Sequence, residues 1–430
     1  MTTRLQLHRR LPAARAAVAV GFMLSGIAFA SWVVRIPDAQ ERLGLSEGSL
    51  GLVLLGVAVG GLVAMPLSSA LIARLGSRPV ARGATLALAA ALGLSPWAPT
   101  ALTLALVLVV LGASASILSV GMNTQAASIE RRMRRPIMAG LHALYSLGGL
   151  VGAGIGGLAA GMDVPVELHL GVAALVVAAV TLATTPALLR PGIDGVPAGG
   201  PAFVRPSRPL LLMGLVAFCV LFGEGAVADW SAVYLRDAAG AGPALAAAGY
   251  AAFSLMMAAG RFVGDALTLR LGAPGLVRLG GATALAGMVM AVAQWHPLVA
   301  VVGFGAVGAG LSAVFPTVLA AAGRSRDSTP STAITAVSSI GYLGFLAGPP
   351  LIGFIAEATT LQVGIGVVGL TSLLILLLAG AVPAAPGYGR RAAEEVVGRR
   401  SSSVGRRSVG PARMWARRSV GRDPVGTGGR

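Results

Sequence analysis

A few ionisable side chains lie inside long apolar runs of this 430-residue chain, and they are the first candidates for chemistry. Glu224, flanked by Gly223 and Gly225, falls within the run 210 to 235. At 1.5 Å per residue it lies roughly 21 Å from the start of that run, a little beyond mid-depth. A charged side chain so deep in a membrane costs about 2.5–3.5 kcal/mol, so such residues face a cavity, and a carboxyl there is the type of group that takes up and gives back a proton. A packing hydrogen bond to a neighbouring helix is the plain alternative. Asp229, five residues on, projects about 140° away, so the two carboxyls are not expected to share one site. It is either a second proton-coupling group at the outer mouth or a structural acid beside Trp230.

Other polar residues in the runs have similarly divided readings. Arg35 follows Ser31 and Trp32 on one helical face. It holds an anionic group of a substrate, pairs with an acid of the seventh span, or snorkels to the membrane interface. Trp32 and Trp230 fit either an interfacial belt or the stacking walls of a substrate site. Asn123 shares a face with Glu130, while Gln125 points about 200° away from Asn123. Both amides suit substrate binding or hydrogen bonding between helices. His142, with Tyr145 and Ser146 on its face, suits a proton relay, because histidine titrates near neutrality, or plain packing.

The elements that must hold these residues are membrane spans. With 55% of residues hydrophobic and 11% charged, the chain is neither disordered nor an average water-soluble domain. Each crossing needs about 20 apolar residues. Apolar runs fall near 12–34, 49–72, 83–98, 100–125, 137–161 and 168–189, then near 210–235, 245–269, 275–294, 298–322, 331–357 and 361–382. The expected fold is an all-α membrane protein with twelve transmembrane helices in two six-helix bundles, residues 1–189 and 209–382. A cytoplasmic linker, 190–208, joins them, and 383–430 reads as a disordered basic tail suited to contact with anionic lipid rather than nucleic acid. Before the tail, the pieces on one side carry Arg74, Arg78, Arg82, Arg131, Arg132, Arg270 and Arg278 among others, whereas the opposite side has Arg35, Arg42 and Arg236. Cationic loops resist translocation, so both termini are expected in the cytoplasm. Arg9-Arg10 before the first run, with Ala28-Phe29-Ala30 near its end, also fits a secretory signal; the run is longer than a signal core, and a retained span is expected.

Self-comparison reveals a duplication. Trp32 recurs 198 residues on as Trp230, and Arg74-Leu75-Gly76 recurs 196 on as Arg270-Leu271-Gly272. Gly148, Gly152 and Gly157 are matched, again 196 on, by Gly344, Gly348 and Gly353. Copies with an even number of spans are parallel, related by an axis along the membrane normal with a cavity between them, and rocking about that cavity gives alternating access.

These residues resemble the major facilitator superfamily over residues 12 to 382. The family's loop signature, Gly-x-Leu-Ala-Asp-Arg-x-Gly-Arg-Lys, corresponds here to Ser69-Ala70-Leu71-Ile72-Ala73-Arg74-Leu75-Gly76-Ser77-Arg78, without its Gly and Asp. The second copy, Gly260-Arg261-Phe262-Val263-Gly264-Asp265, keeps an acid. Three further segments resemble a bacterial branch grouped with fucose-permease-like and rhizopine-associated membrane proteins. They are Glu224 to Ser231, Arg135-Pro136-Ile137-Met138 with His142, and Gly341 to Phe345 leading to Gly348-Pro349-Pro350. The resemblance implies transport of a small polar or amphiphilic solute. It also assigns Arg74 and Gly76 to gating. With Gly157 the first ladder partly resembles the superfamily's antiporter signature, with Ala153 in place of its proline. Pro349 and Pro350 remove backbone donors and are expected to bend the eleventh helix at Gly348-Pro349 as a gate. Arg261 and Asp265 are expected to lock the cytoplasmic side, with Asp265 seated at the positive N-terminus of the fifth helix.

The whole reads as a monomeric, proton-coupled secondary transporter in a bacterial inner membrane. Its expected partners are a small-molecule substrate, protons and membrane lipid. A polytopic sensor or scaffold that binds a ligand without moving it is the alternative. Four scattered His and a single Cys give no catalytic, metal-ligand or cofactor pattern.

Overall fold

A computed structural model describes residues 2–133, 137–190, 207–293, 296–325 and 330–383. The linker beyond Arg190 and the basic tail lie outside the described residues. In chain order the helices are α1 (Thr2–Val33), α2 (Ile36–Leu43), α3 (Glu47–Leu75), α4 (Ser77–Leu94), α5 (Ala101–Met133), α6 (Met138–Gly161) and α7 (Val166–Thr184). The second half continues with α8 (Arg208–Val233), α9 (Pro243–Val292), α10 (Pro297–Leu311), α11 (Val314–Ala322), α12 (Pro330–Ala358) and α13 (Leu361–Leu378).

Among the described residues, ten helical segments are long and apolar enough to cross a membrane. One of them, α9, has 50 residues, about 75 Å of helix, which is more than twice the thickness of a hydrocarbon core. It divides at Gly272, whose φ of 69° and ψ of 166° interrupt the helix. Counting its two arms separately, and adding the more polar 18-residue α4, accounts for the twelve expected crossings. The turn between the second and third crossings is made by Gly76, with φ 83° and ψ 158°. The repeated Arg-Leu-Gly therefore makes the same turn twice, in a backbone region that only glycine occupies freely.

The glycine ladders carry the same repeat into packing. Lipid is as apolar as leucine, so helices associate in membranes by close approach at small residues. Gly148 and Gly152 of α6 meet Met23 and Ile27 of α1; Gly344 and Gly348 of α12 meet Phe218 and Phe222 of α8. Between halves, Gly157 of α6 meets Ala247 of α9, and Gly353 of α12 meets Glu47 and Gly51 of α3. Ala247 and Gly51 are again 196 residues apart, so both seams obey the duplication. A Cβ at Gly51 would come within 2.6 Å of the Pro349 carbonyl oxygen.

These tight seams lie at one end of the molecule. In α3, Gly48, Leu50, Gly51, Val53, Leu54 and Gly56 are buried around the helix, but further on burial narrows to a single stripe of Gly60, Ala64, Ser68 and Ile72. In α9, Gly264 is the one buried position among the described residues between Ala258 and Ala273. The halves are thus sealed where α2 lies and part toward the other end. At the expected bend, Gly348-Pro349, α12 is one continuous helix through Pro349 and Pro350, which lie against Gly51 of α3 at the seam.

Gly76→Ala should lower the thermal unfolding midpoint, because the imposed backbone costs about 1–3 kcal/mol. Gly83→Ala, in the exposed interior of α4 with open space around it, should leave the midpoint unchanged or raise it. Equal shifts in the two purified variants would contradict the assigned turn.

Candidate functional site

Glu224 stands about 24 Å from the start of α8 and about 14 Å from its end, far from either terminus. Its Oε1 is 3.7 Å from Nη2 of Arg261 on α9. Both side chains keep about a quarter of their surface accessible, 25% and 27%, although helices surround them, so they line an internal space. Nη1 of Arg261 donates to Ser146 Oγ on α6 at 3.2 Å. One guanidinium therefore reaches a carboxylate of its own half and a hydroxyl of the other. The contact falls where the α6–α9 seam ends, at the throat between the halves.

Three tyrosines lie in the neighbourhood of the pair. Tyr145 of α6 and Tyr342 of α12 are within electrostatic reach of Glu224. Tyr250 of α9 shares a side-chain hydrogen bond with Ser254 and lies within reach of both Glu224 and Asp229. The half-buried Asp229 thus approaches the same tyrosine as Glu224, although the two carboxylates leave α8 in different directions. On the first half, Asn123 Nδ2 donates to the Ser119 carbonyl oxygen at 2.9 Å, and its Oδ1 lies 3.2 Å from His142 Nε2. The Ser119 carbonyl only accepts, so the amide oxygen of Asn123 faces the ring and Nε2 carries the proton. Phe22 packs edge-on against that ring, with centroids 5.0 Å apart.

Several sequence expectations need correction. Arg35 is 3% exposed and is not aimed at a substrate or at α8. Its Nε donates to His169 Nδ1 at 3.2 Å, Nη1 to Asp38 at 3.2 Å and Nη2 to the Val164 carbonyl at 2.9 Å, all within the first half. Gln125 is fully buried: Nε2 donates to Ser77 Oγ at 2.7 Å and to the Leu189 carbonyl at 3.0 Å, while Oε1 accepts from the Leu189 amide at 2.9 Å. It ties α5 to the start of α4 and to the end of the first half, with no group left for a solute. Trp32 and Trp230, 3% and 0% exposed, are neither a belt nor cavity walls but core residues.

The cytoplasmic lock expected of Arg261 and Asp265 is not engaged in this state, which is parted at that end. Asp265 is exposed, and Arg261 turns to Glu224 and Ser146 instead. The N-terminus of α6 is occupied by Glu130, whose Oε2 accepts from the amides of Ile137 at 2.8 Å and Met138 at 3.2 Å. Arg74 is exposed at the end of α3, beside the Gly76 turn. Tyr250, Ser254 and Tyr342 were missed as site residues; the only sequence signal was that Tyr342 stands in a recognisable segment.

Two repeated helical halves, packed through glycines and holding a carboxylate–guanidinium pair between them, define a membrane transport protein. The profile of the Major Facilitator Superfamily matches residues 18–329. An uncharacterised MFS-type transporter of Yersinia pestis is 36% identical over 365 residues, covering 84% of this chain and 94% of that one. The chain belongs to the Major Facilitator Superfamily. The membrane protein MosC of Rhizobium meliloti is 32% identical over 369 residues, covering 86% and 88% of the two chains. Among solved structures, the nucleoside transporter NupG superposes with a TM-score of 0.66 at 13% identity, covering 86% of this chain and 98% of that one. A single-residue variant of the E. coli fucose:proton symporter FucP gives 0.57 at 15% identity with the same coverage. At these identities the two structures speak for the fold.

Gln125→Ala would strand the amide and carbonyl of Leu189 in the interior, at about 2–3 kcal/mol, so its unfolding midpoint should fall markedly. Ligand affinity of the folded fraction should be unchanged. Weakened binding with an intact midpoint would return Gln125 to the substrate site.

Proposed function

We propose that this chain is a proton-coupled secondary transporter of a small uncharged, hydrogen-bonding solute, and that Glu224 carries the proton. The observation supporting this most directly is the Glu224–Arg261 pair at the throat, accessible to solvent yet remote from both helix ends. Within the pair one carboxylate and one guanidinium balance, which suits a neutral solute, and Asp229 is a second acid near Tyr250. Tyr145, Ser146, Tyr250, Tyr342, Asn123 and His142 offer donors and acceptors from both halves. His142, holding its proton on Nε2, presents Nδ1 as an acceptor for a solute hydroxyl or a transferred proton. Neighbours named for a nucleoside and for fucose with a proton carry hydroxyl-rich cargo, which agrees with this lining.

Coupling follows from electrostatics. Removing one member of a paired set of charges in a low-dielectric space leaves the other uncompensated, at a cost of several kcal/mol. With Glu224 ionised, Arg261 is compensated within the second half. A proton on Glu224 releases the guanidinium, which retains Ser146 of the first half, and this shifts the balance of contacts across the throat. Proton occupancy and the relative position of the halves are thereby linked. The excess of arginine at the parted end favours its facing the cytoplasm, with Glu224 loaded from the sealed side after the halves rock.

Reconstituted protein should accumulate a member of a panel of neutral sugars, polyols and nucleosides when a pH gradient is imposed. A ligand-binding sensor would bind without accumulation. Glu224→Gln should reduce gradient-driven accumulation at least tenfold while substrate exchange across the membrane persists. Wild-type gradient dependence in that variant would eliminate Glu224 as the carrier.

A further inference from the structure

The connection after the first crossing is the eight-residue helix α2, and the first half holds it at both ends. At its start, the buried Arg35 bonds to His169, Asp38 and the Val164 carbonyl. At its end, Arg42 donates from Nη1 to the Ala98 carbonyl at 2.6 Å and from Nη2 to that of Ser95 at 3.5 Å. Ile36, Pro37, Ala39 and Gln40 form its buried face. Glu41, 80% exposed, points the other way and accepts from Arg236 Nη1 at 3.5 Å.

Arg236 belongs to the π-helical turn Tyr234–Ala238 that prolongs α8, so this contact joins the two halves. Among the described residues it is the ion pair that does so: Arg35–Asp38 lies within the first half, and Arg236–Asp237 and Arg261–Glu224 lie within the second. Nε of Arg236 also holds Asp237 at 2.8 Å, so the guanidinium stays compensated when Glu41 leaves.

We propose that α2 is a lid fixed to the first half, and that Glu41–Arg236 is the latch holding it over the second half when this end is sealed. The inference rests on the alternating-access reading above. An exposed ion pair biases an equilibrium by only about two- to fivefold. That magnitude suits a latch that must break in every cycle, and Asp237 lowers the cost of breaking it further.

The test places a single thiol in the seam: Ala247→Cys, beside Gly157, in a Cys219→Ser background, in nanodiscs that expose both faces. The readout is the rate of labelling by a water-soluble maleimide. Glu41→Gln and Arg236→Gln should each raise that rate about two- to fivefold. The double variant should go no further than either single one, because the pair is their shared cause. Unchanged rates, or additive effects, overturn the latch. No labelling in any variant means that this end never opens, which overturns the lid and alternating access together; labelling that ignores Glu41 overturns the lid alone. Amide hydrogen exchange over residues 36–51 in Glu41→Gln, without the introduced thiol, provides a second readout. Faster exchange supports the latch, and unchanged exchange rejects it.

Discussion

Helices gain no hydrophobic energy by leaving lipid for one another, so what joins them must come from contact at short range. In this protein that contact is made at glycines, and the position of the site follows from where they stop. Gly157 and Gly161 bring α6 against α9, and Gly353 brings α12 against α3. One level further along α6 and α9, the seam continues as Gly149 against Ser254 and then as Ser146 against Arg261. Beyond that level burial falls away, and the space between the halves begins. The Glu224–Arg261 pair stands at the boundary, with Arg261 also reaching Ser146 of the other half.

Duplication made the scaffold symmetric, but the chemistry is not. Tyr250, Ser254 and Arg261 line the α6–α9 seam; 196 residues earlier, the corresponding positions on α3 are Leu54, Ala58 and Met65. The α3–α12 seam is correspondingly one of Gly51, Pro349 and Gly353 backbone. One seam bears an arginine and hydroxyls along its length, whereas the other carries a charged group, Glu357 over Gly48, at its end. Two helix pairs related by the 196-residue offset therefore differ in the side chains they bring to the interface between the halves.

Much of this architecture was legible in the sequence, because its determinants are periodic or repeated. Apolar run length marks spans, and the 196-residue offset marks the halves, down to the matched backbone of Gly76 and Gly272. Glu224 was legible because an acid is costly in lipid. Its partner was not: nothing in the local spacing of Arg261 shows that it turns to Glu224 on another helix. Arg35, Gln125 and the two tryptophans were open to more than one reading for one reason, and for Gln125 hydrogen bonding between helices is the one that holds. A polar or amphipathic residue in an apolar run announces that it needs an environment, but not whether a ligand or the protein's own backbone supplies it. Glu130 shows the converse, since the empty amides of a helix start were foreseen and the carboxylate that fills them was assigned to the wrong residue.

The uneven seams also bear on how such a protein diversifies. Polar and charged side chains meet on α6, α8 and α9, whereas the seam between α3 and α12 is closed by small residues that let the two backbones touch. Side chains of the first set are free to vary without disturbing that close approach, while a larger residue at Gly51 would collide with the Pro349 backbone.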